Sequence, residues 1–279
     1  MKIHPFTIPK PFNEAIIVQV DREPIFYNRL HQHEEIQISH ILNGSGKLVV
    51  GDSVHPFSKG ETYVIGSNLP HVFQNVRAEK DAHRVTIFFT ETSFGDCFFN
   101  MPYFLDLHPF FKKSSTGFKV NTDEKRIGKA IVQLVGQEKL PLFISFLRLL
   151  ERLSCVEMNS LTKFVYPKTL TLNEGERLQV IFDFVLKNFH TPIVLKEISD
   201  MAFMTPNAFC RFFKQRTNKT FFQFLIELRI EHACQLLKSK KEMEVTTVAD
   251  SSGFSSISNF NKKFKKIKGV SPSRYRKEF

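Results

Sequence analysis

Tryptophan is absent from this 279-residue sequence, and cysteine is scarce. Cys97, Cys155, Cys210 and Cys234 lie far apart, with no Cys-x-x-Cys pair. That excludes a disulfide-stapled scaffold and predicts reduced thiols in a cytoplasmic protein. Long apolar runs are also missing. Phe143 to Leu150 is interrupted by Ser145 and Arg148 and is too short to span a bilayer, so no membrane partner is expected. The opening Met-Lys-Ile-His-Pro lacks the basic-then-apolar layout of a secretory signal. Acidic residues are in deficit, 28 against 39 basic, for a net charge of +11. From Glu174 onward 19 Lys/Arg face 11 Asp/Glu, about +8, which leaves about +3 for the longer first part. A basic C-terminal third attracts nucleic acid or an anionic surface. A hydrophobic fraction of 42% is enough for packed cores, and the length suits two domains.

What is present begins with short strands. Ala15 to Val20, Glu35 to Leu42, Lys47 to Val50, Thr62 to Ile65 and Arg84 to Phe89 are β-branched or alternating. Pro24, Asn43-Gly44, Gly51-Asp52, Gly60 and Asn68-Leu-Pro70 break them, which predicts an antiparallel barrel or sandwich with a tight turn at Gly51-Asp52. Within it, His31-x-His33 is followed by Gln37 and Gly44. Gly60, Gly66, Asn68, His71 and Asn75 follow later. These two runs resemble the paired motifs of the cupin family. In cupins the two early histidines, a Glu and the later histidine hold a metal inside the barrel. Here Gln37 stands at the Glu position and Gly66 at a Pro position, and neutral Gln is a weaker ligand than a carboxylate. The resemblance implies an effector pocket at His31, His33, Gln37, His71 and Asn75. A divalent metal on His31, His33 and His71 is the alternative use of the same residues, and no cofactor is required. Glu34 and Glu35 are expected at the rim or in solvent.

Glu91 to Val120 is dense in Phe and is expected to pack as short helices or loops over the barrel mouth. Behind a cap-like Thr122-Asp123, Ile127, Ile131, Leu134 and Val135 recur at helical spacing. After Pro141, Leu142, Phe146, Leu149, Leu150 and Leu153 form a second stripe. Two such helices suit a dimer interface and equally suit packing on their own barrel. Residues 166–173 read as a linker.

The last hundred residues say nearly the same thing twice. Ile198 to Lys214 and Val248 to Lys265 each carry a short helix, a turn, a Thr or Ser cap, and a helix with Phe at i and i+4. Thr205 caps the first of these second helices and Pro206 sits at its first position. Ser256 caps the other, after Gly253 in the turn. Asn207, Cys210, Arg211 and Lys214 fall on the outer face of one helix, with Ile257, Ser258, Asn261, Lys262 and Lys265 on the other. Phe260, Phe264 and Ile267 are expected inside. Between the units Phe221 to Lys238 reads as one helix of about 27 Å, a spacer suited to two major-groove contacts about 34 Å apart.

The order Phe221-x-x-Phe-Leu-x-x-x-Arg229-x-x-x-Ala233, Val248-Ala-x-x-x-Gly-Phe254, Phe260-x-x-x-Phe264-Lys, Gly269-Val-Ser-Pro272-x-x-Tyr275-Arg resembles the AraC-type transcription regulators. With the cupin-like motifs the resemblance spans nearly the whole chain. It implies an α+β two-domain architecture. A cupin-like antiparallel β-barrel with appended helices precedes an all-α domain of two helix-turn-helix units joined by a long helix. The expected divisions are a sensing barrel with its covering segment at 1–121, a helical dimerisation region at 122–165, the linker, and the DNA-binding domain at 174–279. The implied base contacts are Asn207, Cys210, Arg211, Ile257, Ser258, Asn261 and Lys262. Arg suits guanine and Asn adenine. Lys214, Lys263, Lys265, Lys266 and Arg276 suit phosphate, and Arg229 is as readily structural as a DNA contact. The implied function is sequence-specific regulation of transcription, activation being the usual mode, under a small molecule for which a sugar is one class. Double-stranded DNA, RNA polymerase and a second copy of the chain are the implied partners. The competing readings are a metal-dependent cupin enzyme carrying a DNA-binding module and a general DNA-coating protein.

Overall fold

The computed structural model describes residues 14–75, 81–163 and 170–278, which form two compact units divided near residue 172. The first unit is a two-sheet antiparallel barrel with helices on one face. Its strands are β1 (Ile17–Glu23), β2 (Ile36–Asn43), β3 (Gly46–Val50), β4 (Ser53–Phe57), β5 (Thr62–Ile65), β6 (His71–Asn75), β7 (Ala82–Phe89), β8 (Phe118–Val120) and β9 (Met158–Ser160). The larger sheet has the order β1-β7-β2-β5-β8-β9 and the smaller β4-β3-β6. The sequence reading found β1, β2, β3, β5 and β7. Strands β4 and β6 were not expected, since Pro56 interrupts one and His71, Gln74 and Asn75 make the other largely polar, nor were β8 and β9, of three residues each. The turn at Gly51-Asp52 joins β3 to β4 as expected, with Gly51 at φ 55°.

Alternation on β2 sorts its side chains between two environments. Ile36, Ile38 and Leu42 join a core between the large sheet and the helices, while Ile41 faces the other sheet beside Leu48, Val50, Tyr63 and Phe73. Gln37 and Ser39 share the Ile41 side and so line the interior. On β7, Val85, Ile87 and Phe89 pack outward against the helices, leaving Ala82, Arg84, Thr86 and Phe88 inside.

The outer layer comprises α1 (His108–Ser114), α2 (Glu124–Gln133) and α3 (Lys139–Cys155). The Phe-rich stretch contributes Phe99 and Leu107 before α1 and Phe110 within it to this outer core, not to a cover over the barrel mouth. Its rings pack mostly edge-on or tilted, as their quadrupoles favour. Gly66 has a physical reason: a Cβ there would lie 2.2 Å from the carbonyl oxygen of Ser114. Both amphipathic stripes turn inward onto the sheet through Ile127, Ile131, Leu134, Phe146, Leu149, Leu150 and Leu153, but Val135 is exposed. The expected cap is absent. Asp123 is left-handed at φ 57° and makes no side-chain cap bond, and Thr122 Oγ1 instead accepts from the Glu157 N–H at 3.0 Å.

The second unit is helical: α4 (Leu172–Asn188), α5 (Leu195–Met201), α6 (Pro206–Thr217), α7 (Phe221–Ser239), α8 (Val245–Ser251), α9 (Ile257–Lys268) and α10 (Pro272–Lys277). Helix α4 starts inside the stretch read as linker, of which residues 166–169 lie outside the described residues. Thr220 and Gln223 close a capping box at the start of α7. Two cores hang on α7. Phe182, Phe209, Phe213, Phe221 and Phe224 form one ring cluster, and Ile230, Ala233, Leu237, Val248, Phe254, Phe260 and Phe264 form the other.

Candidate functional site

The interior of the barrel carries a strip of polar side chains contributed by three strands of the large sheet and the β6 side. Gln19 Nε2 donates to Asp21 Oδ1 at 2.5 Å, and Arg84 Nε donates to Asp21 Oδ2 at 2.6 Å. Further along, Thr86 and Ser39 share a hydroxyl bond of 3.0 Å, and Gln37 Nε2 donates to Ser39 Oγ at 2.8 Å. Gln37 Oε1 then lies 3.1 Å from His33 Nε2 and 3.0 Å from His71 Nε2. His31 completes the group through a bridge between its backbone and that of His71. The structure thus brings together His31, His33, Gln37 and His71. Asn75 lies four residues along β6 and accepts the Phe26 N–H on Oδ1 at 2.9 Å.

Each histidine is oriented by its other nitrogen. Nδ1 faces a carbonyl oxygen in all three: Arg29 at 2.7 Å for His31, Glu35 at 2.9 Å for His33 and Leu69 at 2.8 Å for His71. A carbonyl only accepts, so Nδ1 bears the hydrogen. Burial lowers the His31 pKa to about 3 and holds that of His71 well below the ordinary imidazole value. Both rings are therefore neutral at physiological pH, with lone pairs on Nε2. One ligand atom from each of the three histidines lies within 4.8 Å of the others.

That donor set fits a divalent cation: three oriented imidazoles, with the Gln37 oxygen as a neutral fourth donor. The facing lone pairs of His71 Nε2 and Gln37 Oε1 are repulsive by themselves and complementary around a cation. Turning the Gln37 amide over offers the alternative in which its NH2 group donates to the imidazoles. Glu35 departs from expectation. It is 6% exposed, not at the rim, and its carboxylate stands 3.6 Å from His33 Nδ1. Sequence reading also missed Asp21, Ser39, Arg84 and Thr86. Their only signal was the period-two alternation, which marks a face but not its partner strand.

The helical unit presents the second candidate surface. Thr205 Oγ1 accepts from the Ala208 N–H and Ser256 Oγ from the Asn259 N–H, so both caps form as read. Phe209, Phe212 and Phe213 are buried while Pro206, Asn207, Cys210, Arg211 and Lys214 are exposed. On α9, Phe260 and Phe264 are buried, and Ile257, Ser258, Asn261, Lys262, Lys265 and Lys266 are exposed, with Lys263 half-buried. Ile267, expected inside, is 37% exposed. Arg276, assigned to phosphate, is half-buried and donates from Nη2 to the Met243 carbonyl at 2.6 Å. The fold already engages that guanidinium.

Both turns are Schellman closures. Met204 N–H bonds Ser199 O and Phe203 N–H bonds Asp200 O. Phe254 N–H bonds Ala249 O and Gly253 N–H bonds Asp250 O. The left-handed position is Gly253 in one unit and Phe203, at φ 54° and 90% exposed, in the other. Arg229 is structural: its Nε bonds the Phe189 carbonyl at 2.7 Å and its Nη2 the Thr191 carbonyl at 2.8 Å. It thereby satisfies carbonyls that follow the end of α4.

Comparison with known proteins follows the same division. Residues 198–278 match the helix-turn-helix domain family and residues 22–88 the cupin domain family. The probable transcriptional regulator LumQ of Photobacterium leiognathi is 26% identical over 249 residues, 88% of this chain and 90% of LumQ. The HTH-type transcriptional activator RhaR of Mannheimia succiniciproducens is 22% identical over 90% of this chain and 87% of its own length. Among solved structures, the DNA-binding domain of AdpA, a global transcriptional factor in complex with a target DNA, is 28% identical over 35% of this chain and 87% of its own, with a TM-score of 0.34. No helix among the described residues is long and apolar enough to cross a membrane. With its cupin domain followed by doubled helix-turn-helix units, the chain is an AraC/XylS-family-like DNA-binding transcription regulator.

Proposed function

We propose that the chain recognises a specific DNA sequence with α6 and α9, under the control of a small molecule held in the barrel interior. The observation that carries the DNA reading is the pair of capped helices, each anchored by buried Phe and presenting polar side chains outward. Asn207, Cys210, Arg211, Ile257, Ser258, Asn261 and Lys262 are the proposed base-facing residues. Lys214, Lys263, Lys265 and Lys266 are the proposed phosphate contacts. Helix α7, with 19 residues, spans about 28 Å and serves as the spacer between units. The effector residues are His31, His33, Gln37, His71 and Asn75, together with the interior strip that the fold adds to them. A sugar and the activation of transcription through RNA polymerase are the effector class and mode that the family resemblance supports. Exposed Val132, Val135, Leu140 and Ile144 on and beside α2 and α3 support homodimerisation through residues 122–165. Ligand binding would bias arrangements of the chain by its differential affinity for them.

Selection of bound fragments from random DNA at moderate salt tests this reading. A recovered consensus supports it, and Arg211→Ala should then weaken the consensus by about 1–3 kcal/mol and relax one base position. Equal retention of all sequences, with a steep salt dependence, would replace it with the coating protein. The metal-dependent enzyme is the second reading, favoured by the convergence of His31, His33 and His71. A bound metal would supply Lewis-acid chemistry there. Neutral Gln37 gives weaker binding than the carboxylate of the cupin pattern, and Gln37→Glu should raise zinc or nickel affinity.

A further inference from the structure

The inner face of the barrel holds donors that the described residues leave without acceptors. Arg84 is 7% exposed, and its guanidinium is flanked by the rings of Phe26 and Phe73, with centroids at 4.9 and 5.2 Å. Its Nε is engaged by Asp21, but Nη1 and Nη2 bond no described residue. Asn75 Nδ2 is a fully buried donor with no acceptor among the described residues. The two sites adjoin through Phe26, whose N–H bonds Asn75 Oδ1 and whose ring touches the guanidinium. The acceptors nearby are already engaged. Asp21 Oδ1 takes Gln19, Asp21 Oδ2 takes Arg84, and Asn75 Oδ1 takes Phe26. Each of these acceptors already takes a donor, while the Nη groups of Arg84 and Nδ2 of Asn75 take no acceptor among the described residues. The site therefore favours a group that accepts over one that must also donate. A group that only accepts, carries negative charge and is planar matches the end-on pair of N–H bonds a guanidinium offers. The neighbourhood is electropositive as well, since the Arg84 charge is felt at both His31 and His71, where it disfavours protonation.

We propose that the effector of this barrel carries a carboxylate, docked end-on to Nη1 and Nη2 of Arg84 with Asn75 Nδ2 as a further donor. The rest of the molecule lies along Phe73 toward His71, since His71, Phe73 and Asn75 alternate on the same side of β6. This deepens the effector reading given above and rests on it. It narrows the ligand from polar molecules in general to organic acids, sugar acids and aromatic acids alike.

The test uses the full chain, with benzoate against benzamide and acetate against acetamide at constant ionic strength, followed by saturation-transfer NMR on the ligand protons. Saturable benzoate and acetate signals with amides at least tenfold weaker are expected. The double variant Asp21→Asn/Arg84→Gln removes both charges together and leaves no carboxylate buried alone. It should erase the preference for acid over amide. Asn75→Asp, nearly isosteric, sets a carboxylate beside the docking position and should weaken benzoate at least tenfold while near-ultraviolet dichroism stays unchanged. Amides that bind as well as acids, or a preference that survives in the folded double variant or in Asn75→Asp, would overturn the acid assignment and leave the barrel as a pocket for neutral ligands. No saturable signal from any of the four probes would remove both the acid assignment and the pocket.

Discussion

Protonation of the barrel histidines should destabilise this unit in mild acid. The His31 pKa falls from 6.5 to about 3, chiefly through burial, with the charges of His33 and Arg84 pushing the same way. The unfolded chain therefore binds a proton below pH 6.5 that the folded barrel refuses. Stability is fully present above the unfolded value and is lost progressively as pH falls toward the folded one. At pH 5 the unfolded ring is about one and a half units below its pKa, and each unit corresponds to about 1.4 kcal/mol, so His31 alone should remove about 2 kcal/mol. His71, shifted in the same direction, adds to the loss. Two units in one chain make a single unfolding midpoint ambiguous. Amide exchange of peptides from β2 and β7, corrected for intrinsic rates and run with a chelator present, reports the barrel separately. In the wild type the opening free energy should fall by at least 2 kcal/mol between pH 7 and pH 5, and His31→Asn should show about 2 kcal/mol less of that fall. Parallel pH profiles for wild type and variant would refute the placement of a neutral, desolvated His31.

Three further substitutions test particular contacts. Phe203→Gly relieves a left-handed backbone and gives up almost no burial, so it should stabilise the helical unit by about 0.5–1 kcal/mol in urea unfolding. Arg229→Met leaves the Phe189 carbonyl without its donor and that of Thr191 to water, and should destabilise the same unit by about 1–3 kcal/mol. Arg229→Lys should not restore it, because one ammonium cannot reproduce the fork. Gly128→Ala places a Cβ 2.4 Å from Cε1 of His40, so thermal unfolding of the barrel should show a loss of about 1–3 kcal/mol, partly relieved when His40→Ala is added.

The doubled helix-turn-helix was legible because its signals are local. A Thr or Ser cap and Phe at i and i+4 act within a few residues, and each recurs after about fifty residues, whereas proline marks the first turn of α6 alone. The caps and the exposed faces of α6 and α9 followed directly. Helix ends defined by left-handed residues were less legible, since nothing in Asp123 or Phe203 announces a positive φ as Gly253 does. The histidine cluster was readable only through the cupin-like spacing. His31 and His33 meet His71 across about forty residues, and the pairing of β6 with the preceding segment closes that gap.

The sequence by itself therefore determined the class of each half: a β-barrel with a histidine-bearing interior, and paired basic recognition helices. Only the tertiary structure decided what those interiors contain. Strand register sets Arg84 opposite Asp21 and Thr86 opposite Ser39, pairs separated by 63 and 47 residues. Helix packing turns Arg229 and Arg276 toward backbone carbonyls instead of solvent. The physical reason is the same in each case. Capping and periodicity are short-range properties of the chain, whereas the partner of a buried charge is set by which distant backbone the fold brings within hydrogen-bond reach.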